Sequence, residues 1–575
     1  MVRCSWQQGH LAFHVQHGND TEPPSLPWQI MPLWSMYHCL FSEVGIFGVC
    51  HPWFETIFTV RETVEIVAQI YQAYWVTHAV SRAWINDLLV AIIIINCFSG
   101  IAIHLLLRHR TSAIVQRMTA VAFDFALDLT CAVIIPVVVL MPYVYDYDPG
   151  SRFFPFQLLM DDVWYTNAVA EAQQVLVTSW LDYVGTMLPH VSLLSCVSTI
   201  RETVRPERRE NQYAVSEPLT PTSDESPGSS ARVSSIRRQP QKNKAFIKLL
   251  HIICMLCGIA VLIVHAMAKS KTRVSVPGCR LHVSAWLATN YSCSVFTVNC
   301  YREGIDGQAE TIAPILAQLE QSVLRILVVS HCPNVTVPSA IQLFPRLYGL
   351  EFYICSLTEW SATAAAHSAY HEQFHYLYFV HTKMTELPPG ILHRNLPASL
   401  TSLGLFNTTL PGVPSTLPEY WREHTWDFFG IENSSLDEVP VSLGQLPIVH
   451  GLSGNNITSL PVDVFTQPEA SGALQAISLS LNPLTTAPTL SSAEAQSLMV
   501  LYLESTLVRT VPEWMVAWMA ACERGGLGCV GTLKYAPACE EAHGNSSVYS
   551  EFCDKDQLSC SGSYNMTVME PQRPL

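Results

Sequence analysis

The sequence predicts a multi-pass α-helical membrane region followed by an α/β solenoid built from repeated short strands. Three observations predict this organisation. One apolar phrase returns eight times in the second half of the chain, and long uncharged apolar runs occupy the first half. Sites typical of exported proteins, namely N-glycosylation sequons and clustered cysteines, lie beyond residue 270.

The repeated phrase is apolar-x-x-apolar-x-apolar-x-x-(Asn, Thr, Cys or Ser)-x-apolar, which is the leucine-rich repeat. A plain copy has Leu400, Leu403, Leu405, Thr408 and Leu410 in its fixed positions. Each copy predicts one short strand whose apolar side chains cannot be buried by that repeat alone, so the repeats must stack across residues 324–512. The copies open 21 to 27 residues apart at Leu324, Leu347, Phe374, Leu400, Trp426, Pro447, Leu474 and Leu498.

The ninth position of each repeat is predicted to turn inward, where a small polar side chain or a thiol satisfies backbone groups of the loops. The thiols of Cys332 and Cys355 are therefore interpreted as buried members of this series rather than as disulfide partners. The ninth positions are Cys332, Cys355, Thr382, Thr408, Ser434, Asn455, Asn482 and Thr506.

The first half of the chain predicts four membrane-spanning helices. Residues 88–107 and 249–268 are each 20 residues without a formal charge, which suffices to cross the hydrocarbon layer. Residues 119–143 predict a third span and residues 180–200 a fourth, and the membrane region as a whole covers 87–200 before the last helix. The preceding region, 1–86, is expected to be partly interfacial helix, around residues 30–50.

The charges of the connecting segments predict the orientation. Loop 108–118 carries three arginines and no acid, whereas loop 145–179 is acidic. Residues 201–248, a disordered basic linker by composition, hold ten Lys or Arg and are expected in the cytoplasm. Residues 270–575 then lie outside the cell, as the extracellular repeat domain of a multi-pass plasma-membrane protein.

Sequons and cysteines are independent predictors of the same placement. Seven of the eleven asparagines beyond residue 270 head Asn-x-Ser/Thr sequons. Asn334 occupies a repeat position that is predicted to face inward, so either it is not glycosylated or the register of the repeat slips there; it is left out of the expected acceptors. The expected glycosylation sites are Asn290, Asn407, Asn433, Asn456, Asn545 and Asn565.

Cysteine clusters flank the repeats and predict disulfide-stapled caps at residues 270–323 and 513–575, with the connectivity left open. The same part of the chain is acidic, with 14 Lys and Arg against 26 Asp and Glu. Nucleic acid and anionic lipid are therefore poor partners for the repeat domain.

The outward strand residues of the first repeats are predicted to form a ligand-binding surface on the concave face of the solenoid. Aromatic rings beside polar groups suit a protein, peptide or glycan ligand. The predicted binding residues are Glu351, Tyr353, Tyr376, Tyr378, His381, Phe406, Phe428 and Glu432.

Two further patterns have competing interpretations. His371-Glu372-Gln373-Phe374-His375 matches the H-E-x-x-H zinc motif, which makes His371 and His375 weak metal candidates, but a strand is expected to begin inside it. Asp124 and Asp128 would line an ion or proton path if they lie inside the membrane. The preferred interpretation places both carboxylates at the edge of the cytoplasmic headgroup layer.

Residues 324–512 resemble the extracellular repeat domains of kinase-less leucine-rich-repeat receptor-like membrane proteins. The resemblance implies recognition of a ligand and signalling through a co-receptor, and the topology departs from that family because several spans precede the repeats. The linker 201–248 has no kinase motif, so no enzyme activity and no cofactor are expected.

Four spans followed by repeats also resemble the volume-regulated anion channel family, whose repeats are cytoplasmic. That alternative, a channel-like protein with a regulatory repeat domain, predicts reduced cysteines and unglycosylated repeats. A membrane-anchored zinc metallopeptidase is the third hypothesis.

Overall fold

The structure is a computed structural model of the whole chain. It describes residues 2–7, 10–15, 37, 40–41, 45–107, 111–149, 154–177, 179–204, 241–271, 276–446, 449–461, 476–490, 498–525, 530–533, 535–541 and 553. The chain divides into two compact units. The helical unit comprises residues 1–145 and 171–269, and the repeat unit comprises residues 146–170 and 270–575.

The helical unit is built from long apolar helices. A β-hairpin of β1 (Val2–Gln7) and β2 (His10–Val15) precedes them. The π-helical turn Thr130–Ile134 makes the third and fourth helices continuous. The helices are Phe54–Ala79, Ala83–Leu107, Ala113–Leu129, Ile135–Asp146, Trp180–Val204 and Gln241–Lys271.

Four helices among the described residues are long and apolar enough to cross a membrane, namely Ala83–Leu107, Ala113–Asp146, Trp180–Thr203 and Lys244–Lys271. Each contains one of the four predicted spans. Residues 201–204 and 241–248 are helical, so the prediction of disorder is wrong for these two ends of the linker 201–248. The rest of the predicted linker, residues 205–240, lies outside the described residues. The helix Phe54–Ala79 was not predicted, because its four charged residues conceal it in hydropathy. Most of the predicted 30–50 helix lies outside the described residues.

Ion pairs join the helices of this unit. Arg82 binds Glu171, whose carboxylate is fully buried and also accepts a hydrogen bond from the Tyr143 hydroxyl at 2.7 Å. Asp87 accepts bonds from His265 and Lys269, each at 2.8 Å. Such pairing compensates the cost of removing charges from water between helices.

The repeat unit is organised by one 11-stranded sheet. The strands stack in sequence order and are parallel except for the first two, which are antiparallel. They are β3 (Cys279–His282), β4 (Cys293–Asn299), β5 (Ile326–Ser330), β7 (Gly349–Tyr353), β9 (Tyr376–Val380), β10 (Ser402–Phe406), β11 (Phe428–Glu432), β12 (Val449–Gly451), β13 (Ala476–Ser478), β14 (Val500–Tyr502) and β15 (Val530–Thr532).

All eight predicted repeats supply a strand that begins two residues after the repeat opens, which confirms the register of the strands. A two-stranded sheet of β6 (Val335–Thr336) and β8 (Leu357–Glu359) lies apart from the main sheet. Connections contain the helices Cys300–Glu303, Ala309–Leu316, Leu417–Trp421, Glu513–Gly525 and Pro537–Glu541, and the 3₁₀ turns Ser339–Leu343, Ala362–Ala364 and Val441–Gln445.

Alternate strand residues point into a single core that runs through the repeats. Leu350 and Phe352 on β7, for example, are 1% exposed and pack in register with Leu377 and Phe379 on β9. The apolar period of two within a short strand produces this face, and only the neighbouring repeats cover it.

A left-handed turn follows each of the eight predicted strands. The eighth residue of each repeat has a positive φ of 49 to 69°, although Gly454 is the only glycine among them. Asn407 and Asn433 suit this conformation, whereas it is unfavourable for Ile354 and Leu481. The residues are His331, Ile354, His381, Asn407, Asn433, Gly454, Leu481 and Ser505.

The turn directs the ninth side chain inward, as predicted. Asn482 shows the role clearly, because its Nδ2 donates to the carbonyls of Leu452 and Leu479 and its Oδ1 accepts from the Ile457 amide. Asn455 makes the equivalent bonds one repeat earlier. All eight ninth residues are buried.

The interpretation of Cys332 as a free buried thiol is wrong, because it forms a disulfide with Cys300 of the N-terminal cap. Cys279 and Cys293 form a second bond in that cap, and Cys539 and Cys553 form one in the C-terminal cap. The N-terminal cap, residues 270–323, holds an odd number of cysteines because the partner of Cys300 lies in the first repeat. Cys355 is free and buried, as predicted.

The inward placement of Asn334 is also wrong. Asn334 is exposed, and the next residue, Val335, takes the buried position on β6. One extra residue in this loop shifts the eleventh position of the first repeat from Asn334 to Val335. Asn334 is therefore exposed, as are the other four sequon asparagines among the described residues.

We expect Asn482→Ala to destabilise the repeat unit by about 1–3 kcal/mol, because it leaves buried backbone groups without hydrogen-bond partners. Calorimetry of the purified full-length protein would show a lower melting temperature for the repeat transition. Substitution of the exposed Glu438 by Ala serves as the control. Equal melting temperatures for N482A and wild type would contradict the role of the ninth side chain in satisfying buried backbone groups.

Candidate functional site

The candidate site is the outward side of the sheet across the first repeats, which carries aromatic side chains on adjacent strands. We call Tyr348, Tyr353, Tyr376, Tyr378, Phe406 and Phe428 the aromatic face. Parallel pairing places Glu351 opposite Tyr378 and Tyr353 opposite Val380, so side chains from four strands meet there.

The rings of the aromatic face contact one another in a continuous row. Ring centroids are 4.7 Å apart for Tyr376 and Tyr378 and 5.6 Å for Tyr378 and Phe406, the latter pair edge to face. Offset and edge-to-face packing of this kind is favourable beyond the area that it buries. The hydroxyl of Tyr376 donates to Glu351 Oε1 at 3.1 Å.

Glycines beneath the rings allow this row to lie against the sheet. A Cβ at Gly349 would be 2.1 Å from the Tyr376 ring, and one at Gly404 would be 2.2 Å from the Phe406 ring. Gly430 has the same relation to Phe428, at 2.5 Å. None of these glycines was predicted, although a glycine at the fifth position of two successive repeats is the signal that would have found Gly404 and Gly430.

The aromatic face is covered by a segment of the same chain. We call residues 154–170, which belong to the repeat unit, the docked segment. It contains the short helix Phe156–Leu159 and the first part of the helix Asp162–Val175. Val163, Tyr165 and Val169 pack against Val328, Tyr348 and Tyr376, and Met160 packs against Tyr353, Val380 and Phe406.

Polar contacts fix the docked segment in register. The Tyr165 hydroxyl lies 2.9 Å from the Tyr348 hydroxyl, and the Tyr165 ring meets the Tyr376 ring edge to face. Arg280 Nη1 lies 2.7 Å from Asp162 Oδ2, and the side chain of Asp162 is 4% exposed. A partly buried ion pair with this geometry adds orientation to the apolar contacts.

Burial changes the ionisation of the site. Removal from water raises the pKa of Tyr348, and the neighbouring Tyr165 raises it further. Burial likewise raises the pKa of Tyr378, so both phenols stay neutral hydrogen-bonding groups at physiological pH. Burial lowers the pKa of Arg325, below this face, to about 10, and Arg325 therefore remains a cation there.

The predicted ligand-binding residues are brought together, but they do not form an open surface. Glu351, Tyr353, Tyr376, Phe406 and Glu432 are at most 8% exposed. Tyr378, His381 and Phe428 are half-buried. The docked segment was not predicted, because loop 145–179 was interpreted from its acidic charge alone. Apolar and aromatic residues such as Met160 and Tyr165 within that loop were the available signal.

The H-E-x-x-H string does not form a helical metal motif. Residues 365–375 contain no helix, and the strand β9 begins directly afterwards. His371 is 1% exposed with Nδ1 3.3 Å from the Phe344 carbonyl, whereas His375 stacks on Tyr348 with centroids 4.3 Å apart. The two imidazoles thus have separate structural surroundings, which removes the basis for a metal site and for a metallopeptidase.

Asp124 and Asp128 are buried within the helical unit, at 2% and 0% exposure. Their predicted position at the edge of the headgroup layer concerns depth in a membrane and stays a prediction. Arg61 on the unpredicted helix Phe54–Ala79 forms an ion pair with Asp124.

We expect Tyr165→Ala and Arg280→Ala each to release the docked segment partially, since each removes an anchor. Hydrogen exchange of the full-length protein would show faster exchange for amides 162–170. Tyr301→Ala, at a side chain that is 71% exposed, is the matched control. Unchanged exchange in both Y165A and R280A would contradict the contacts described.

We also expect the buried His371 to make stability depend on pH. Burial lowers the pKa of His371 to about 4 from 6.5, so the unfolded chain binds this proton more readily than the folded chain. Its contribution to stability is full above pH 6.5 and is lost as pH falls toward 4. In His371→Gln the melting temperature should fall less between pH 7 and pH 4.5 than in wild type, and an identical fall would refute this assignment.

Comparisons with known proteins are sparse. No protein-family model matches the chain, and no curated protein sequence matches it. Among solved structures, the chain is similar to the leucine-rich repeat domain of the type III effector XopL. The identity is 15%, the match covers 49% of this chain and 84% of that chain, and the TM-score is 0.29.

Proposed function

We propose that this protein is a multi-pass membrane protein that displays its leucine-rich repeats outside the cell for recognition or adhesion. The ligand is a protein, a peptide or a glycan bound on the outward side of the sheet. The protein has no kinase or other catalysis of its own and signals, if it signals, through a partner.

The docked segment carries this proposal. The aromatic face binds a short helix-containing peptide segment through apolar side chains, a tyrosine pair and one ion pair. These are the contacts by which repeat proteins and other binding surfaces hold a peptide or protein partner. The face therefore has the chemistry of a protein-binding site, with the chain's own segment as its resident ligand.

An external ligand of the first repeats competes with the docked segment. The apolar clusters that the segment packs against extend from Leu281 on β3 to Phe406 on β10. A ligand that presents a tyrosine and an acidic residue at the spacing of Tyr165 and Asp162 would use the same partners, Tyr348 and Arg280. Displacement of the docked segment breaks its contacts with the aromatic face, which lowers the apparent affinity of the external ligand. Ligands that replace those contacts are therefore favoured.

Chain connectivity supports a common side for the docked segment and the repeats. Two candidate spans, Trp180–Thr203 and Lys244–Lys271, separate them in sequence. An even number of crossings returns the chain to the side from which it left. The basic residues of 201–248 and of loop 108–118 favour the cytoplasm for the opposite side, by the positive-inside rule.

Disulfides and sequons support the extracellular side. Three disulfides lie in the caps of the repeat unit, and disulfides persist in oxidising compartments. The side chains of Asn290, Asn334, Asn407, Asn433 and Asn456 are exposed, as glycan acceptors must be. The channel-like alternative with cytoplasmic repeats requires those cysteines to be reduced.

We expect glycosidase treatment of the protein expressed in eukaryotic cells to lower its mass by several glycans. Substitution of each exposed acceptor by Gln should remove one glycan at a time, including Asn334→Gln. Asn395→Gln, which heads no sequon, is the control.

An epitope tag after Leu575 should stain on intact cells. Staining only after permeabilisation, with no mass shift on glycosidase treatment, would contradict the extracellular placement and favour the channel-like alternative.

A further inference from the structure

A cluster of acidic side chains is buried where three helices of the helical unit meet. Asp124 and Asp128 lie one turn apart on Ala113–Leu129, Glu65 lies on Phe54–Ala79 and Cys196 lies on Trp180–Val204. One carboxylate oxygen of each aspartate and the Cys196 sulfur lie within 4.8 Å of one another. These four residues are at most 2% exposed, and we call them the acidic cluster.

Four carboxylate oxygens of the acidic cluster lack donors among the described residues. Among the described residues, no donor faces either oxygen of Asp128, Oδ1 of Asp124 or Oε2 of Glu65. The other oxygen of Glu65, Oε1, accepts a hydrogen bond from Gln69 Nε2 at 3.1 Å, and ionised carboxylates supply no proton to one another. Fully buried carboxylate oxygens without donors are unfavourable unless a proton or a cation binds them.

The protein cations do not neutralise this charge. Arg61 pairs with Asp124, and its guanidinium also lies 3.5 Å from the Ser195 hydroxyl and over the Phe58 ring. Glu62, 8% exposed on the same helix, adds another carboxyl to the surroundings. With all four carboxyl groups ionised, including Glu62, and with the Arg61 guanidinium as the one cation counted, the formal charge of these groups is −3.

The donor set matches a zinc ion. Zinc binds cysteine sulfur and carboxylate oxygen in tetrahedral sites, with bonds of about 2.0–2.3 Å that set donor separations of roughly 3.3–3.8 Å. The donors here, at up to 4.8 Å, require a closure of about 1 Å, which side-chain rotation supplies. A thiol among the donors distinguishes the site from calcium and magnesium sites, which use oxygen alone.

We propose that Asp124, Asp128 and Cys196 bind one zinc ion between the helices of this unit, as three protein ligands with the fourth position open. Asp124 also forms an ion pair with Arg61 through Oδ2, and its Oδ1 has no donor among the described residues. Cys196 now donates its S–H to Asp124 Oδ2 at 3.4 Å and loses that proton when the metal binds. Together with the metal, Arg61 and Glu62, the thiolate form of the acidic cluster has a net formal charge of −2 rather than −4. This inference is independent of the proposed recognition function.

The test is zinc binding by the purified full-length protein. We expect about one zinc per chain by elemental analysis after equilibration with zinc. Added zinc should raise the melting temperature of the wild type. Asp128→Asn and Cys196→Ser should each weaken zinc affinity at least tenfold, because each removes a ligand.

Cys97→Ser is the matched control, since Cys97 is a free buried cysteine on the neighbouring helix Ala83–Leu107 and lies outside the acidic cluster. Cobalt-loaded wild type and C97S should show thiolate-to-cobalt charge-transfer absorption that C196S lacks. This signature separates loss of a ligand from misfolding. Absence of zinc in the wild type, which leaves protons as the only occupants, or charge-transfer absorption retained in C196S, would overturn the proposal.

Discussion

The repeat unit depends on one constraint, which is that no repeat can bury its own apolar strand residues. Leu350 and Phe352 are covered only because Leu327 and Val329 lie on one side and Leu377 and Phe379 on the other. Stacking then requires that every turn return the chain to the same register. The left-handed eighth residue and the buried ninth residue perform this task, even where the eighth residue is Ile354 or Leu481.

The same constraint explains the caps and the occupied face. A stack of repeats exposes apolar residues at each end, where the disulfides Cys300–Cys332 and Cys539–Cys553 staple the capping segments. The outward residues of the strands are free to carry function, since the core does not use them. Here they carry rings, supported by Gly404 and Gly430, and the docked segment removes those rings from water. The aromatic face thus has side chains suited to binding a peptide, and the docked segment occupies it.

Charge burial is the corresponding constraint in the helical unit. Glu171 is fully buried and is satisfied by Arg82 and Tyr143. Asp128 is equally buried, yet no donor faces it among the described residues. Two equally buried carboxylates thus differ in whether a hydrogen-bond donor or cation faces them. This difference identifies the acidic cluster as a site for a bound cation. Helices that contain such groups are costly to place in an apolar surrounding, which also explains why Phe54–Ala79 escaped prediction from hydropathy.

The sequence by itself determined the strands, their inward residues and the ninth-position ladder, because a local period of two and a fixed repeat spacing dictate them. It also determined the four apolar helices, since length and composition suffice. Only the tertiary structure decided that Cys332 pairs with Cys300, that residues 154–170 cover Tyr376 and Phe406, and that Asp128 meets Cys196. Such contacts join residues 32 to more than 200 positions apart, and no local pattern specifies which distant side chain arrives.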